Sequence, residues 1–225
     1  MDLIGWRRPP RIVGHTLRGV FQQSEASVMS MINVTLPDGT VNEYAEGITC
    51  AEVITDALGR KHGCLAATVD GIERDMSTEL SSSCSVEGIL SDSEAGIHIL
   101  RHSAAHLLAQ AVTELYPGAL PTIGPAIERG FYYDFKMDPI TEADLKAIQK
   151  KMQFLAKQNA VVERIELDEA DLKSHFEHNP YKMEIINDKL EDGAGSTIYK
   201  QGEWYDLCLG PHVPNLSRLM FVKLT

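Results

Sequence analysis

The sequence has no cysteine pair at CxxC spacing, no apolar run near the length of a membrane span, no basic excess and no glycine loop of phosphate-cradling type. Each absence removes a class. A spanning helix needs about 20 mostly apolar residues in a row, so an integral membrane protein is not expected. Cys50, Cys64, Cys84 and Cys208 are widely scattered, which fits reduced thiols better than a disulfide framework. Acidic side chains outnumber basic ones 32 to 21, for a net charge of −11, and residues 31–95 alone hold 12 acidic and 3 basic groups. No basic stripe of the kind that grips a phosphate backbone is present, so any hold on nucleic acid is local or lies elsewhere. Walker and GxGxxG signatures and internal repeats are likewise missing.

What remains is an ordinary globular composition, 44% hydrophobic and 24% charged, long enough for one large or two ordinary domains. Residues 1–30 are Arg-rich and poor in acids. They are expected to be a disordered tail, either an over-extended start or a transit segment. The expected location is cytoplasmic under the first reading and organellar under the second.

From residue 31 the pattern becomes regular. "MINVTLPDGTVNEYAEGIT" predicts a hairpin: Ile32, Val34 and Leu36 alternate, Pro37-Asp38-Gly39 turns the chain, and Val41 restarts the strand. "TCAEVITDALGRKHG" predicts a helix with Thr49 as N-cap, Glu52 at the capping-box position and Gly59 near its end. "CLAATVDG" and "CSVEGIL" read as strands around a turn at "DGIERDMSTEL". Strand, strand, helix, strand, strand is the order of a β-grasp, ubiquitin-like fold, which we place at residues 31–92.

Residues 93–225 read as a second, α+β module. A helix over roughly 94–116 is stopped by Pro117-Gly118, and the aromatic strand "FYYDF" follows. Then come a helix capped by Thr141, a strand at "VVERIEL", a helix at "DEADLKSHFEHN", a segment from "PYKMEIINDKL" and a Gly-rich hairpin tip at "EDGAGS". The tip leads into "TIYKQGEWYDLCLGPHVPN".

Two constellations carry chemistry. In "RHSAAHLLAQ", His102 and His106 stack one turn apart on a helix. Leu100, Ala104, Leu107, Leu108, Ala111 and Leu115 form an apolar stripe, and the histidines lie roughly opposite it beside Ala105, Ala109 and Thr113. The stripe is assigned to the core, and the histidines to a cleft whose small neighbours admit close approach. In "YDLCLGPH", Asp206 and Cys208 share a side of an extended segment, and Gly210-Pro211 turns the chain to present His212. HxxxH with CxxxH offers three imidazoles and a thiolate, a tetrahedral zinc set. A metalloprotease is excluded, because Ser103 stands where that mechanism needs Glu. The alternative is metal-free hydrolysis, with the imidazoles and Asp206 binding an amine or positioning water.

These residues resemble a known family. "HSAAHLLAQAVTELYP", "IGPAIERGFYYDF", "YKMEII" and "YDLCLGPHVPN" resemble the editing domain of bacterial-type threonyl-tRNA synthetases, and "INVTLPDGTVNEYAEGITCAEV" resembles the TGS domain preceding it there. The resemblance covers about 31–225. It implies an enzyme region that hydrolyses seryl-tRNA(Thr) made in error, meeting the 3′ end of tRNA(Thr). It also implies a following class II catalytic domain, which would bring ATP, Mg and its own Zn and form the homodimer. The reactive positions it implies are His102, His106, Asp206, Cys208, His212 and Lys182, with Tyr133 contacting the terminal nucleotide or packing with Phe131 and Phe135. Asp206 would hold the substrate ammonium, and Lys182 would neutralise phosphate or developing negative charge. The editing site is expected to work without metal. The related alanyl-tRNA synthetase editing domain places zinc on the ligands matching His102, His106, Cys208 and His212, which is the alternative. A stand-alone zinc deacylase of that kind and a TGS-type binding module are the competing functions. Two departures from the family stand out: Leu209 replaces a common Arg, and the editing domain of the family continues beyond "MFVKLT", so the chain is expected to be a fragment.

Overall fold

The computed structural model describes residues 30–191 and 197–225. The readings made for the tail at 1–29 and for the Gly-rich tip at 192–196 lie outside them.

The fold is mixed α+β. Its amino-terminal sheet opens with β1 (Met31–Thr35) and β2 (Val41–Ala45), paired antiparallel around the Pro37-Asp38-Gly39 turn. Helix α1 (Cys50–Leu58) starts on the expected capping box, in which Thr49 Oγ1 accepts from the Glu52 N–H and the Glu52 carboxylate accepts from the Thr49 N–H. Strands β3 (Cys64–Val69), β4 (Ile72–Asp75) and β5 (Cys84–Leu90) complete the sheet in the order β2-β1-β5-β3-β4. β1 and β5 run parallel at its centre. β4 is a correction, because "IERD" reads as part of a turn. Three of its four residues are exposed, so an edge strand here has no apolar alternation to announce it.

β3 is buried on both faces. Cys64 and Ala67 pack with Val53 and Ile54 of α1, whereas Leu65 and Ala66 join the core built around α2 (Glu94–Leu115). That second core takes Ile99, Leu107 and Val112 from α2. It takes Ile148, Met152 and Leu155 from α3 (Glu142–Gln158), and Leu216 and Leu219 from a short 3-10 turn. The hydrophobic interior therefore crosses from the amino-terminal sheet into the rest of the chain. Each fully buried Leu or Ile contributes about 1.5–3 kcal/mol, so this crossing holds the two parts in one packing arrangement.

Beyond α2 lie the two-residue strands β6 (Leu120–Pro121), β7 (Ala126–Ile127), β8 (Gly130–Phe131) and β9 (Phe135–Lys136). "FYYDF" is thus two short strands, β8 pairing β7 and β9 pairing β6, rather than one. β10 (Val162–Glu166), β11 (Thr197–Gln201) and β12 (Trp204–Leu207) form an antiparallel sheet, with α4 (Glu169–Phe176) and α5 (Pro180–Glu191) between β10 and β11 in sequence. Leu172 and Phe176 of α4 and Ile186 of α5 pack against Ile198 of β11. No described helix is long and apolar enough to cross a membrane.

Candidate active site

Helix α2 carries the first half of the site. Ser93 caps it, its hydroxyl accepting from the Gly96 N–H. The face opposite the leucines is buried too, which corrects the one-sided wheel: His106 is 4% exposed and Ala105 and Ala109 are fully buried, whereas Leu115 at the end of the stripe is exposed. The small residues explain this. Ala105 and Ala109 let Tyr133 pack close, with Phe131, Phe135 and Trp204 around it. The Trp204 indole sits edge-on to His106, centroids 5.9 Å apart.

The second half comes from β12 and the loop after it, and all four expected donors converge. Cys208 Sγ lies 3.3 Å from His102 Nε2 and 3.2 Å from His212 Nε2, and the four ligand atoms fall within 4.8 Å of one another. The His212 ring lies 4.3 Å from that of His102 and 4.2 Å from that of His106. The Gly210 N–H points at Cys208 Sγ (3.3 Å). Burial drives the His106 imidazole down to about 3, the nearby Asp206 carboxylate opposing the shift. His212 is also held well below the usual imidazole range, first by burial and then by the neighbouring His106 and His102. Both rings are therefore neutral near pH 7, the form that accepts a proton or ligates a metal.

A second group borders this cluster. Lys182, Asp206 and Tyr133 meet in the interior: Lys182 Nζ is 2.6 Å from Asp206 Oδ1 and donates to the Tyr133 hydroxyl (3.0 Å), which itself donates to Asp206 Oδ2. Leu207 N–H completes the set on Asp206 Oδ1 (2.8 Å). Lys182 stands in the first turn of α5, where its own N–H is capped by Asn179 Oδ1. Burial and the adjacent Asp206 carboxylate push the Tyr133 phenol far above its ordinary range. The expected roles shift accordingly. Lys182 is a buried partner of Asp206 rather than a group free to meet phosphate, and Asp206 is already paired before any ammonium arrives. Tyr133 both stacks on Phe135, centroids 5.0 Å apart, and reaches the site through its hydroxyl.

His102, His106, Cys208, Lys182, Asp206 and Tyr133 face one pocket of about 290 Å³, lined also by Ile123, Gly124, Pro125 and Leu209, while His212 is buried outside its lining. Leu209, the residue in the position of the common Arg, is half exposed at this pocket. The sequence reading missed three supports. Ser103 Oγ accepts from the Val213 N–H (3.0 Å) and lies 3.0 Å from His212 Nδ1. Tyr199 places its ring 4.4 Å from that of His212. Asp75 accepts from the Tyr199 hydroxyl and from the His212 N–H (2.9 Å). Ser103 was conspicuous only as a missing Glu. Asp75 lies 137 residues from His212, and no local pattern connects them.

Residues 196–225, which include Asp206, Cys208 and His212, match the family described as the threonyl and alanyl tRNA synthetase second additional domain. Over a longer stretch the chain is 44% identical to a threonine–tRNA ligase of Pelobacter propionicus, across 87% of this chain and 31% of that protein. It is 41% identical to one of Streptococcus pneumoniae, across 86% and 30% respectively. The chain is similar over most of its length to threonine–tRNA ligases, and it spans about a third of the length of the curated relatives it matches.

Proposed function

We propose that this chain is the amino-terminal region of a threonyl-tRNA synthetase and that its pocket hydrolyses seryl-tRNA(Thr). Residues 31–92 are read as a β-grasp TGS domain, a reading supported by the strand order β2-β1-β5-β3-β4 with a parallel central pair. Residues 93–225 are read as the editing domain. The observation that carries the proposal is the clustering of His102, His106, Cys208 and His212, the first three of which line a pocket together with Asp206, Lys182 and Tyr133. The chemical need is clear: serine lacks one methyl group of threonine, and a difference of that size is worth only about 1–3 kcal/mol of discrimination. A second site must therefore remove the errors.

In this reading a water held among the neutral imidazoles attacks the ester carbonyl carbon. The water proton passes to an imidazole, the bond from that carbon to the ribose oxygen breaks, and the imidazolium returns the proton to the ribose oxygen as it leaves. An incoming ammonium shares the Asp206 carboxylate with Lys182. The tRNA 3′ end is the partner at this pocket. ATP, Mg and a catalytic Zn would serve the ligase reaction of a longer protein, which would dimerise through that missing part.

A second reading is favoured by the donor set itself. Three imidazole nitrogens and a thiol, with Sγ to Nε2 separations of 3.2 and 3.3 Å, are close to the edges of a tetrahedron built on bonds of roughly 2.0–2.3 Å. The residues fit zinc, with His102, His106, Cys208 and His212 as ligands, and zinc would activate a bound water. Resemblance to the threonyl type leads us to propose the metal-free route. Incubating the chain with seryl-tRNA(Thr) and threonyl-tRNA(Thr), with and without chelator, tests both. Selective loss of seryl ester that resists chelation and falls in His106→Ala and Cys208→Ala is the expected result. Unchanged rates in those variants overturn the site, and stoichiometric zinc whose removal abolishes the reaction overturns the metal-free route.

A further inference from the structure

We infer that Asp75, in the amino-terminal sheet, is a positioning residue for the reactive cluster in the other part of the chain. The inference rests on the functional reading above for its kinetic test and on geometry alone for its spectroscopic one.

Asp75 ends β4, paired with Ala66 of β3. Its side chain reaches beyond its own sheet to His212 and to Tyr199 of β11 and is nearly buried. One oxygen accepts the backbone N–H of His212 and the other accepts the hydroxyl of Tyr199. Tyr199 is fully buried and lies against the His212 ring. The same hydroxyl underlies the 208–212 loop so closely that a Cβ on Gly210 would lie 1.8 Å from it, and Gly210 has a φ of +73°. A glycine is needed there for the approach and for the backbone conformation.

His212 is consequently held at three points by three different elements. Ser103 of α2 lies against its Nδ1, Tyr199 of β11 packs on its ring, and Asp75 holds its N–H. Only the last comes from the amino-terminal sheet. His212 is 2% exposed, and a buried backbone N–H requires a partner, so a carboxylate aimed at it fixes the loop rather than decorating it. The Tyr199 bond orients the carboxylate in turn. The amino-terminal sheet is thereby part of the apparatus that keeps the His212 imidazole against Cys208. A linker that merely tethered the two parts would need no such contact.

The test uses Asp75→Ala, Asp75→Asn and Tyr199→Phe in the full chain. Two readouts are taken: steady-state hydrolysis of seryl-tRNA(Thr) and the ring resonances of His212 by NMR, with the half-buried His175 of α4 as internal reference. A displacement of about 1 Å at a reacting group costs on the order of 10²-fold in rate. Asp75→Ala is therefore expected to lower kcat by about 10- to 100-fold with KM little changed, and to move the His212 ring signals while His175 stays. Asp75→Asn keeps an oxygen for the His212 N–H and an amide for the Tyr199 hydroxyl, and is expected to recover most of the rate. If Asp75→Ala fails to fold, the isosteric Tyr199→Phe decides, with the same direction expected in both readouts. Unmoved His212 signals in the decisive variant overturn the inference, whatever the rate does. Moved signals with kcat within about twofold of the parent overturn it equally. A parent chain inactive on seryl-tRNA(Thr) refutes the functional reading alone, and the NMR arm then decides the positioning by itself.

Discussion

Replacing Lys182 by Met isolates the buried charge pair beneath the pocket. The side chains of Lys182 and Asp206 are 4% and 2% exposed, with N and O 2.6 Å apart. Without the ammonium, Asp206 keeps the Tyr133 hydroxyl and the Leu207 N–H but loses its only cation at ion-pair distance among the described residues. Removing one member of a buried pair costs about 3–5 kcal/mol, because the other charge stays behind uncompensated. For a chain of this size each kcal/mol lowers Tm by roughly 2–4 °C, so a drop on the order of 6–20 °C is expected. The double variant Lys182→Met, Asp206→Asn removes both charges. With the amide oxygen on the Leu207 N–H and the NH2 turned to the Tyr133 hydroxyl oxygen, it is expected to regain more than half of the loss. Urea unfolding of parent, singles and double at pH 7 gives the coupling directly. A cost below about 1 kcal/mol for Lys182→Met, the range of solvent-exposed pairs, refutes the reasoning, since the pair would then behave as hydrated.

Two further predictions concern the same walls. With His106 held at about 3 and His212 also depressed from 6.5, the folded chain leaves these rings unprotonated over a range in which the unfolded chain protonates them. Stability in the presence of chelator therefore falls as pH drops below about 6.5, by up to roughly 1.4 kcal/mol per pH unit for each ring. Urea unfolding at pH 7 and pH 5 measures this, and His106→Gln should flatten the slope; an equal slope in both proteins refutes it. Gly124→Ala would put a Cβ 2.1 Å from the Tyr133 ring, so the ring must leave its bonds to Asp206 and Lys182 at an overpacking cost of about 1–3 kcal/mol. Gly118→Ala, with nothing within 4 Å, is the control and should stay within about 0.5 kcal/mol of the parent; matching melting curves for the two variants would sink the argument.

The parts of the fold that were legible in advance are those written locally. The Thr49 capping box, the Thr141 N-cap, the Pro37-Asp38-Gly39 hairpin and the extent of α2 are each encoded within a few residues. Both histidine motifs were legible for the same reason, since a four-residue spacing on a helix and an extended DxC segment fix which side chains share a face. What was lost depends on contacts distant in sequence. The wheel assigns one apolar stripe to the core, yet α2 is enclosed on both sides because alanines at 105 and 109 accept an aromatic layer. The aromatic alternation of residues 131–135 survives as a shared packing surface, although the backbone there pairs with two different strands. Lys182 looks like a solvent lysine until α5 is docked, and only then does its ammonium face Asp206.

Burying this many polar groups in one place would ordinarily destabilise a domain, since each unpaired buried donor or acceptor costs about 1–3 kcal/mol. Here every buried side-chain nitrogen and oxygen among the described residues has a partner, and the partners come from separate elements: α2, α5, β4, β11 and β12. The polar contacts are thus the joints between those elements rather than holes in the core. This accounts for two features together. The pocket needs little rearrangement to present neutral imidazoles, and preorganised groups act most strongly on a charge that develops in the reaction. The same joints tie the site to the amino-terminal sheet through Asp75, whose carboxylate accepts the His212 N–H.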